Sequence, residues 1–389
     1  MGAKGAFYLQ AGGPTSVINS SLNGVIRRCR DRGVKVYGAR NGLFGLINNT
    51  LVELTNLSYN RLVLLRQTPG MALGSSRQKI DETFSHWKEV EQTLISVDCD
   101  YLLINGGNDS MDMAHQLHKH FASWGLKVIG IPKTIDNDLF GTDFCPGYPS
   151  AVRHVNNTFA AIKIDGSVYP KGKVNLVEIE GREAGWLTAG TALLKKEAAP
   201  DGIYLPEVHF DIEAFLKKVQ EIYEKKGSCF FAISEGVDVP HQEFGTADSF
   251  GHVSPEGAVY ELAGIIKKRL GLPVRASVLG TPCRADPYCI SKVDSDCAQF
   301  LGEAAVDAAI AGKSGVMVGL ERSNEKKLHF TVRYQPLQDC GAKDHLFPHE
   351  WIRDDGTISP EFSAYLSPLL NGTVAAKTDS FGNFLYAVI

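Results

Sequence analysis

Apolar runs of five to seven residues alternate with longer stretches of helical periodicity along most of the chain. The apolar runs predict strands at Ala6–Ala11, Val34–Ala39, Tyr101–Asn105, Lys127–Ile131, Lys173–Ile179, Cys229–Ser234, Arg275–Leu279 and Gly315–Leu320. The stretches between them predict helices at Ser16–Arg32, Met111–Trp124, Pro149–Ile164, Ala184–Leu194, Asp211–Lys226, Pro255–Leu270 and Cys297–Ala311. Strand alternating with helix is the repeating unit of a parallel sheet. Parallel neighbours need right-handed crossovers, so the fold class is α/β, with layered, mostly parallel sheets covered by helices. The pattern changes character near Gly147, which predicts a second lobe beginning there. It contains no internal repeat and no low-complexity linker.

The last fifty residues are less regular. His345 and His349 in KDHLFPHEW (343–351) have a spacing that could ligate metal on a helix, but Pro348 lies between them, so a packing or surface role is expected.

The chemistry-bearing residues gather where predicted strands end. PKTIDND (132–138) follows the apolar run Val128–Ile131 and brings Lys133, Thr134, Asp136 and Asp138 to a carboxyl edge, where open α/β sheets bind ligands. A carboxylate able to take an alcohol's proton beside a cation able to hold phosphate suggests phosphoryl transfer to a hydroxyl. The plainer alternative for the segment alone is a charged turn capping a strand, and the functional reading is favoured over it. AGGPTSVINSS (11–21) offers Gly12 and Gly13 for a tight turn with close backbone approach, ahead of a helix whose free N–H groups suit phosphate. NGGNDS (105–110) repeats the arrangement. Its Asn108, Asp109 and Ser110 are oxygen ligands for a phosphate-bound Mg2+, or simply a helix start. In the second half, EGREAG (180–185) and SEG (234–236) also follow strands. Arg275 opens a strand and Arg284 follows its end. Arginine's planar fork suits phosphate monoesters.

Composition narrows the setting. The chain has 389 residues, of which 44% are hydrophobic and 22% charged, enough for two domains with large cores. The net charge of −4 comes from interspersed acids and bases, so nucleic acid and anionic membrane are not expected partners and any anion site is local. No run approaches a membrane span, and the N-terminus has no signal-peptide pattern. Eight cysteines (29, 99, 145, 229, 283, 289, 297, 340) are scattered without a CxxC pair. Reduced thiols and a cytoplasmic location are expected.

In order and spacing, the N-terminal Gly-Gly, GGNDS, PKTIDND, EGR, SEG and the pair Arg275 and Arg284 resemble the phosphofructokinases. NGLFGL (41–46) and LGSSR (73–77) also look like family segments, and the resemblance covers about residues 5–320. It implies two Rossmann-like α/β/α lobes with the active site in the cleft between them. Residues 1–146 with about 276–335 would form the phosphoryl-donor lobe, and 147–275 with 336–389 the sugar-phosphate lobe. Family members read the donor at two positions where ATP users carry glycine. Here those positions hold Asp109 and Lys133, so the chain resembles the pyrophosphate-dependent branch. Their bulk and charge would exclude the α-phosphate of a nucleotide.

The resemblance further implies that Asp136 takes the proton from the 1-hydroxyl of fructose 6-phosphate, while Lys133 stabilises the moving phosphoryl group. Thr134 and Asp138 would hold the substrate and metal region, with Asn108 at the metal. Gly12, Gly13 and Arg77 would bind pyrophosphate. Glu180, Gly181, Arg182, Glu235, Thr281 and Arg284 would bind the sugar phosphate. Lys173 and Arg275 would reach the 6-phosphate from a neighbouring subunit, giving a homodimer or homotetramer with a shared site. Mg2+ is the implied cofactor, and the reaction is reversible, serving glycolysis and gluconeogenesis.

Three departures matter. The family usually has an acid where this chain has Asn108, histidine or tyrosine at Thr281, and Gly-Gly at Ala285–Asp286. An ATP-dependent member and a kinase of another ketose phosphate, such as sedoheptulose 7-phosphate, are therefore the competing readings.

Overall fold

The structure is a computed structural model that describes residues 5–76, 78–239, 257–323, 328–341, 343–353 and 355–389. Its strands are β1 Gly5–Gln10, β2 Lys35–Ala39, β3 Leu51–Glu53, β4 Cys99–Gly106, β5 Lys127–Pro132, β6 Val174–Ile179, β7 Gly202–Tyr204, β8 Cys229–Ser234, β9 Val274–Val278, β10 Val316–Arg322 and β11 Phe330–Pro336. Seven form one sheet in the order β11-β10-β5-β4-β1-β2-β3, and four form a second in the order β7-β8-β6-β9. The centre of the first sheet, β10 to β2, is parallel, and its edge strands β3 and β11 are antiparallel. Every pairing in the second sheet is parallel.

The apolar runs are continuous rather than alternating because helices cover both faces of these strands. All of β1, β6 and β8 is buried. Helix 18–31 crosses helix 292–310 so closely that a Cβ on Gly24 would lie 2.1 Å from Gln299 O, and one on Gly302 2.1 Å from Ser21 O. The glycines let the two backbones touch, and the Ser20 and Ser295 hydroxyls meet there at 2.9 Å.

Register sets the functional geometry. Gln10 pairs with Asn105, and Gly106 with Pro132, so β1, β4 and β5 end level. In the second sheet Ile179 pairs with Ser234 and Glu178 with Val278, so β6, β8 and β9 end level too.

The predicted strands all form, within two residues at either end. The short β3 and β7 and the antiparallel β11 were not expected. The predicted helix 184–194 is instead one turn at Trp186–Ala189 followed by a tighter turn at Gly190–Leu193. Close packing accompanies the break, because a Cβ on Gly190 would lie 2.8 Å from Val152. Helix 258–270 starts three residues later than predicted within the described residues, and helix 292–310 starts five earlier, at the Ser291 cap.

The C-terminal residues pack back onto this frame. Phe347, Trp351, Phe362 and Tyr365 surround buried Trp186, whose indole N–H donates to His345 O at 2.7 Å. His345 thus has a packing role, and His349 lies in a short 3-10 turn. All eight cysteines are free thiols. No helix of the described residues is long and apolar enough to cross a membrane.

Candidate active site

Because β1, β4 and β5 end level, the Gly12–Gly13 turn, the Gly106–Asn108 turn and Lys133 lie side by side. A Cβ added to Gly12 (φ +76°) would sit 3.3 Å from Lys133 Nζ and 3.8 Å from Ser110 Oγ. One on Gly13 would sit 3.6 Å from Arg284 Nη1, and one on Gly107 3.4 Å from Lys133 O. These clearances show that three separate turns enclose one space. Helix 108–120 opens into it without a side-chain cap, leaving its first N–H groups for an anion.

Lys133 is 4% exposed and donates from Nζ to Gly13 O at 2.6 Å, so its ammonium lies across the glycine turn. Burial pulls its pKa down to about 8, partly offset by the nearby Asp136 carboxylate. Thr134 Oγ1 donates to Asp136 Oδ2 at 3.2 Å and accepts from the Asp136 amide at 3.1 Å. Asn137 follows in the left-handed region (φ +56°), and its Oδ1 accepts from Cys145 N at 2.8 Å. The same loop is held from behind by His345, whose backbone N–H donates to Asp138 O at 2.7 Å and whose Nδ1 contacts Asn137 O at 3.0 Å.

Asn108 Nδ2 donates to Asp138 Oδ2 at 2.9 Å. The remaining oxygens, Asn108 Oδ1 and Asp138 Oδ1, are buried with no hydrogen-bond partner. Two unpartnered acceptors on one hydrogen-bonded pair are an oxygen donor set of the kind a hard divalent cation takes. Burial first, and the Asp136 carboxylate second, push the Asp138 carboxyl up to about 7. Asp109 is exposed and forms an ion pair with Lys79 at 3.5 Å.

The level ends of the second sheet supply the other wall. Arg284 grips Glu180 in a two-pronged pair, Nε to Oε2 at 3.0 Å and Nη2 to Oε1 at 2.9 Å. Burial raises the Glu180 pKa. Glu235 follows β8, and burial, then the Glu180 and Asp136 charges, push its carboxyl up to about 7. Arg284, paired with Glu180 and 3.6 Å from a Cβ placed on Gly13, brings this wall against the glycine turn. Gly181 (φ +132°) accepts from Ser234 Oγ at its carbonyl, and Arg182 keeps its Nε buried and without a partner among the described residues.

Other predicted residues lie apart. Thr281 is exposed on the 3-10 turn that delivers Arg284. Lys173 and Arg275 are exposed at the amino ends of β6 and β9, a full strand length, about 20 Å, from Glu180. Arg275 pairs there with Asp165 at 2.8 Å. Arg77 lies outside the described residues. Sequence reasoning missed the Arg284–Glu180 fork, the Lys79–Asp109 pair and the His345 clamp. Each is a contact between distant segments with no local signature.

Comparison with known proteins identifies the family. Residues 6–309 match the family model "Phosphofructokinase". A pyrophosphate–fructose 6-phosphate 1-phosphotransferase of Rhodospirillum rubrum is 37% identical, with 93% of each chain covered. A sulfofructose kinase of Alkalicoccus urumqiensis is 33% identical, over 89% of this chain and 91% of that one. The crystal structure of a pyrophosphate-dependent phosphofructokinase from Marinobacter aquaeolei superposes with a TM-score of 0.88 at 31% identity, covering 99% of this chain and 95% of the other. Its two-sheet architecture, its level strand ends carrying lysine, aspartates and arginine, and these matches together make the chain a member of the phosphofructokinase family.

Proposed function

We propose that the protein transfers a phosphoryl group from pyrophosphate to the 1-hydroxyl of fructose 6-phosphate, reversibly. The observation that carries the donor assignment is Lys133 Nζ lying across the Gly12–Gly13 turn, 2.6 Å from Gly13 O. It fills the space beside the glycines that the α-phosphate of a nucleotide would need, while its charge remains available to the two phosphates of pyrophosphate. Asp109 adds a carboxylate at the mouth of the same turn.

In this reading Asp136 accepts the proton of the attacking hydroxyl, oriented by its hydrogen bond with Thr134. Lys133 and Arg284 hold charge that develops on the phosphoryl oxygens, and Gly12, Gly13 and Arg77 line the pyrophosphate pocket. Glu235 and Glu180 accept hydrogen bonds from sugar hydroxyls, and Arg182, with its unpartnered Nε and Gly181 beside it, binds the sugar phosphate. Thr281 lines the rim. Asn108 and Asp138 hold Mg2+, which when bound neutralises phosphate charge. Lys173 and Arg275 serve a neighbouring subunit's 6-phosphate in a homodimer or homotetramer, consistent with their distance from this chain's own site. The larger sheet with residues 276–335 forms the donor lobe, and the smaller sheet with the C-terminal segment the acceptor lobe, in a cytoplasmic enzyme of glycolysis and gluconeogenesis.

A second reading, transfer to a different ketose derivative, is favoured by the exposed Thr281 and by Ala285–Asp286 replacing Gly-Gly beside Arg284. Steady-state phosphorylation with Mg2+, offering pyrophosphate and ATP separately, tests the donor. Turnover of fructose 6-phosphate with pyrophosphate alone supports the proposal. Turnover with ATP alone overturns the donor. Turnover of sedoheptulose 7-phosphate in place of fructose 6-phosphate overturns the acceptor.

A further inference from the structure

Two residues beyond Arg284, the chain turns through Asp286 and reaches Cys289 against helix 148–166. His154 of that helix places Nδ1 2.7 Å from Asp286 Oδ2. Cys289 is 5% exposed, and its Sγ and the nearest ligand atoms of His154 and Asp286 all lie within 4.8 Å of one another. One turn further along the same helix face, Asn157 Nδ2 approaches Cys289 Sγ at 3.5 Å. The other carboxylate oxygen, Asp286 Oδ1, accepts from Tyr288 N at 2.7 Å, which fixes the carboxylate plane. The side chains of His154 and Asp286 are each 17% exposed, so the cluster is reachable from solvent.

We propose that His154, Asp286 and Cys289 form a binding site for a borderline-soft divalent metal of the Zn2+ class, separate from the phosphate-bound cation. Imidazole, carboxylate and thiolate together are a donor set that Zn2+ accepts and that Mg2+, which takes oxygen ligands, does not. Three protein ligands leave a fourth tetrahedral position for water. Bond lengths of about 2.0–2.3 Å require ligand atoms about 3.3–3.6 Å apart. The His154–Asp286 contact therefore opens by about 0.6 Å and the sulfur shifts by no more than about 1.2 Å, movements within reach of side-chain rotation. On binding, the Cys289 thiol gives its proton to solvent and the thiolate bonds the metal, with no change of oxidation state.

The site has a structural consequence. Asp286 is tied to the donor side through Ser16 Oγ, which donates to its carbonyl at 3.2 Å. A metal at Asp286 and Cys289 clips the segment that carries Arg284 onto helix 148–166.

The test is titration of the full-length protein with Co2+ in excess Mg2+, following the thiolate-to-cobalt absorption band. One equivalent of Co2+ should generate the band in the wild-type protein, and Zn2+ should abolish it by displacement. Cys289→Ser should lose the band, and His154→Gln, which keeps a hydrogen-bonding group toward Asp286, should weaken Co2+ binding at least tenfold. Zn2+ should raise the Tm of the wild type and not that of Cys289→Ser. Absence of a band in the wild type, or an undiminished band in folded Cys289→Ser, overturns the proposal. If Cys289→Ser does not fold, undiminished Co2+ affinity in His154→Gln overturns it instead.

Discussion

Asn108 and Asp138 share one hydrogen bond, Nδ2 to Oδ2 at 2.9 Å, and each keeps its second oxygen buried without a partner. The pair thus leaves part of its polar capacity unspent on the protein. Replacing Asn108 with Asp adds a charged ligand and removes the shared hydrogen bond. We expect Asn108→Asp to bind Mg2+ about tenfold more tightly. Without metal its Tm should drop, because two carboxylates then face each other. Calorimetric titration and thermal melts with and without Mg2+ check both; unchanged Mg2+ affinity would remove Asn108 from the metal site.

Asp136→Asn keeps the size and the hydrogen bond from Thr134 but cannot accept a proton. Turnover should fall roughly 10²–10⁴-fold with little change in KM for either substrate. A melt within a degree or two of wild type separates this from unfolding. Residual activity near wild type would show that another group takes the proton.

Lys133 illustrates a conflict between stability and function. Its folded pKa, about 8, is below the ordinary lysine value of 10.5. The folded state therefore binds fewer protons than the unfolded chain between those values, so this residue's cost to stability is greatest below about pH 8 and is relieved as pH rises toward 10.5. Lys133→Met should be more stable than wild type at pH 7, by on the order of 1–3 kcal/mol, and nearly inactive. In the wild type, kcat/KM should decline above about pH 8 as the free lysine loses its charge. Denaturant melts across pH 7–10 measure the first effect; a Lys133→Met variant less stable than wild type at pH 7 would contradict it.

Glu235 is held near 7 by burial and by Glu180 and Asp136, with Arg182 opposing. As a proposed acceptor of sugar hydroxyl bonds it works when ionised, so kcat/KM for the sugar phosphate should fall as pH drops below about 7. Its raised pKa also means that stability falls as pH rises from 4.5 to about 7. Glu235→Gln should raise KM about tenfold, remove this part of the acid limb and flatten the stability loss. An acid limb identical to wild type would exclude Glu235 as its source.

Much of the scaffold was legible because parallel strands buried on both faces leave uninterrupted apolar runs, as in Cys229–Ser234, whose limits match β8. The glycine and aspartate turns were legible because a chain that leaves a strand and enters a helix at once needs them. Two-strand edge pairing such as β10 with β11 was not, since Phe330–Pro336 is half exposed and carries no apolar run. Nor was the His154–Asp286 contact, which joins residues 132 positions apart. Lys133 was recognised from its neighbours, but the bond to Gly13 that gives it meaning depends on the register of three strands.

His345 holds Asn137 across a sequence separation of 208 residues. The last strand of the described residues ends at Pro336, nine residues before His345. The loop at Asn137 and Asp138 therefore gains this anchor only once residue 345 has been made. A chain that has completed β11 still lacks the residue that ties this loop down, so the sheets and the loop's anchor are encoded in separate stretches of sequence.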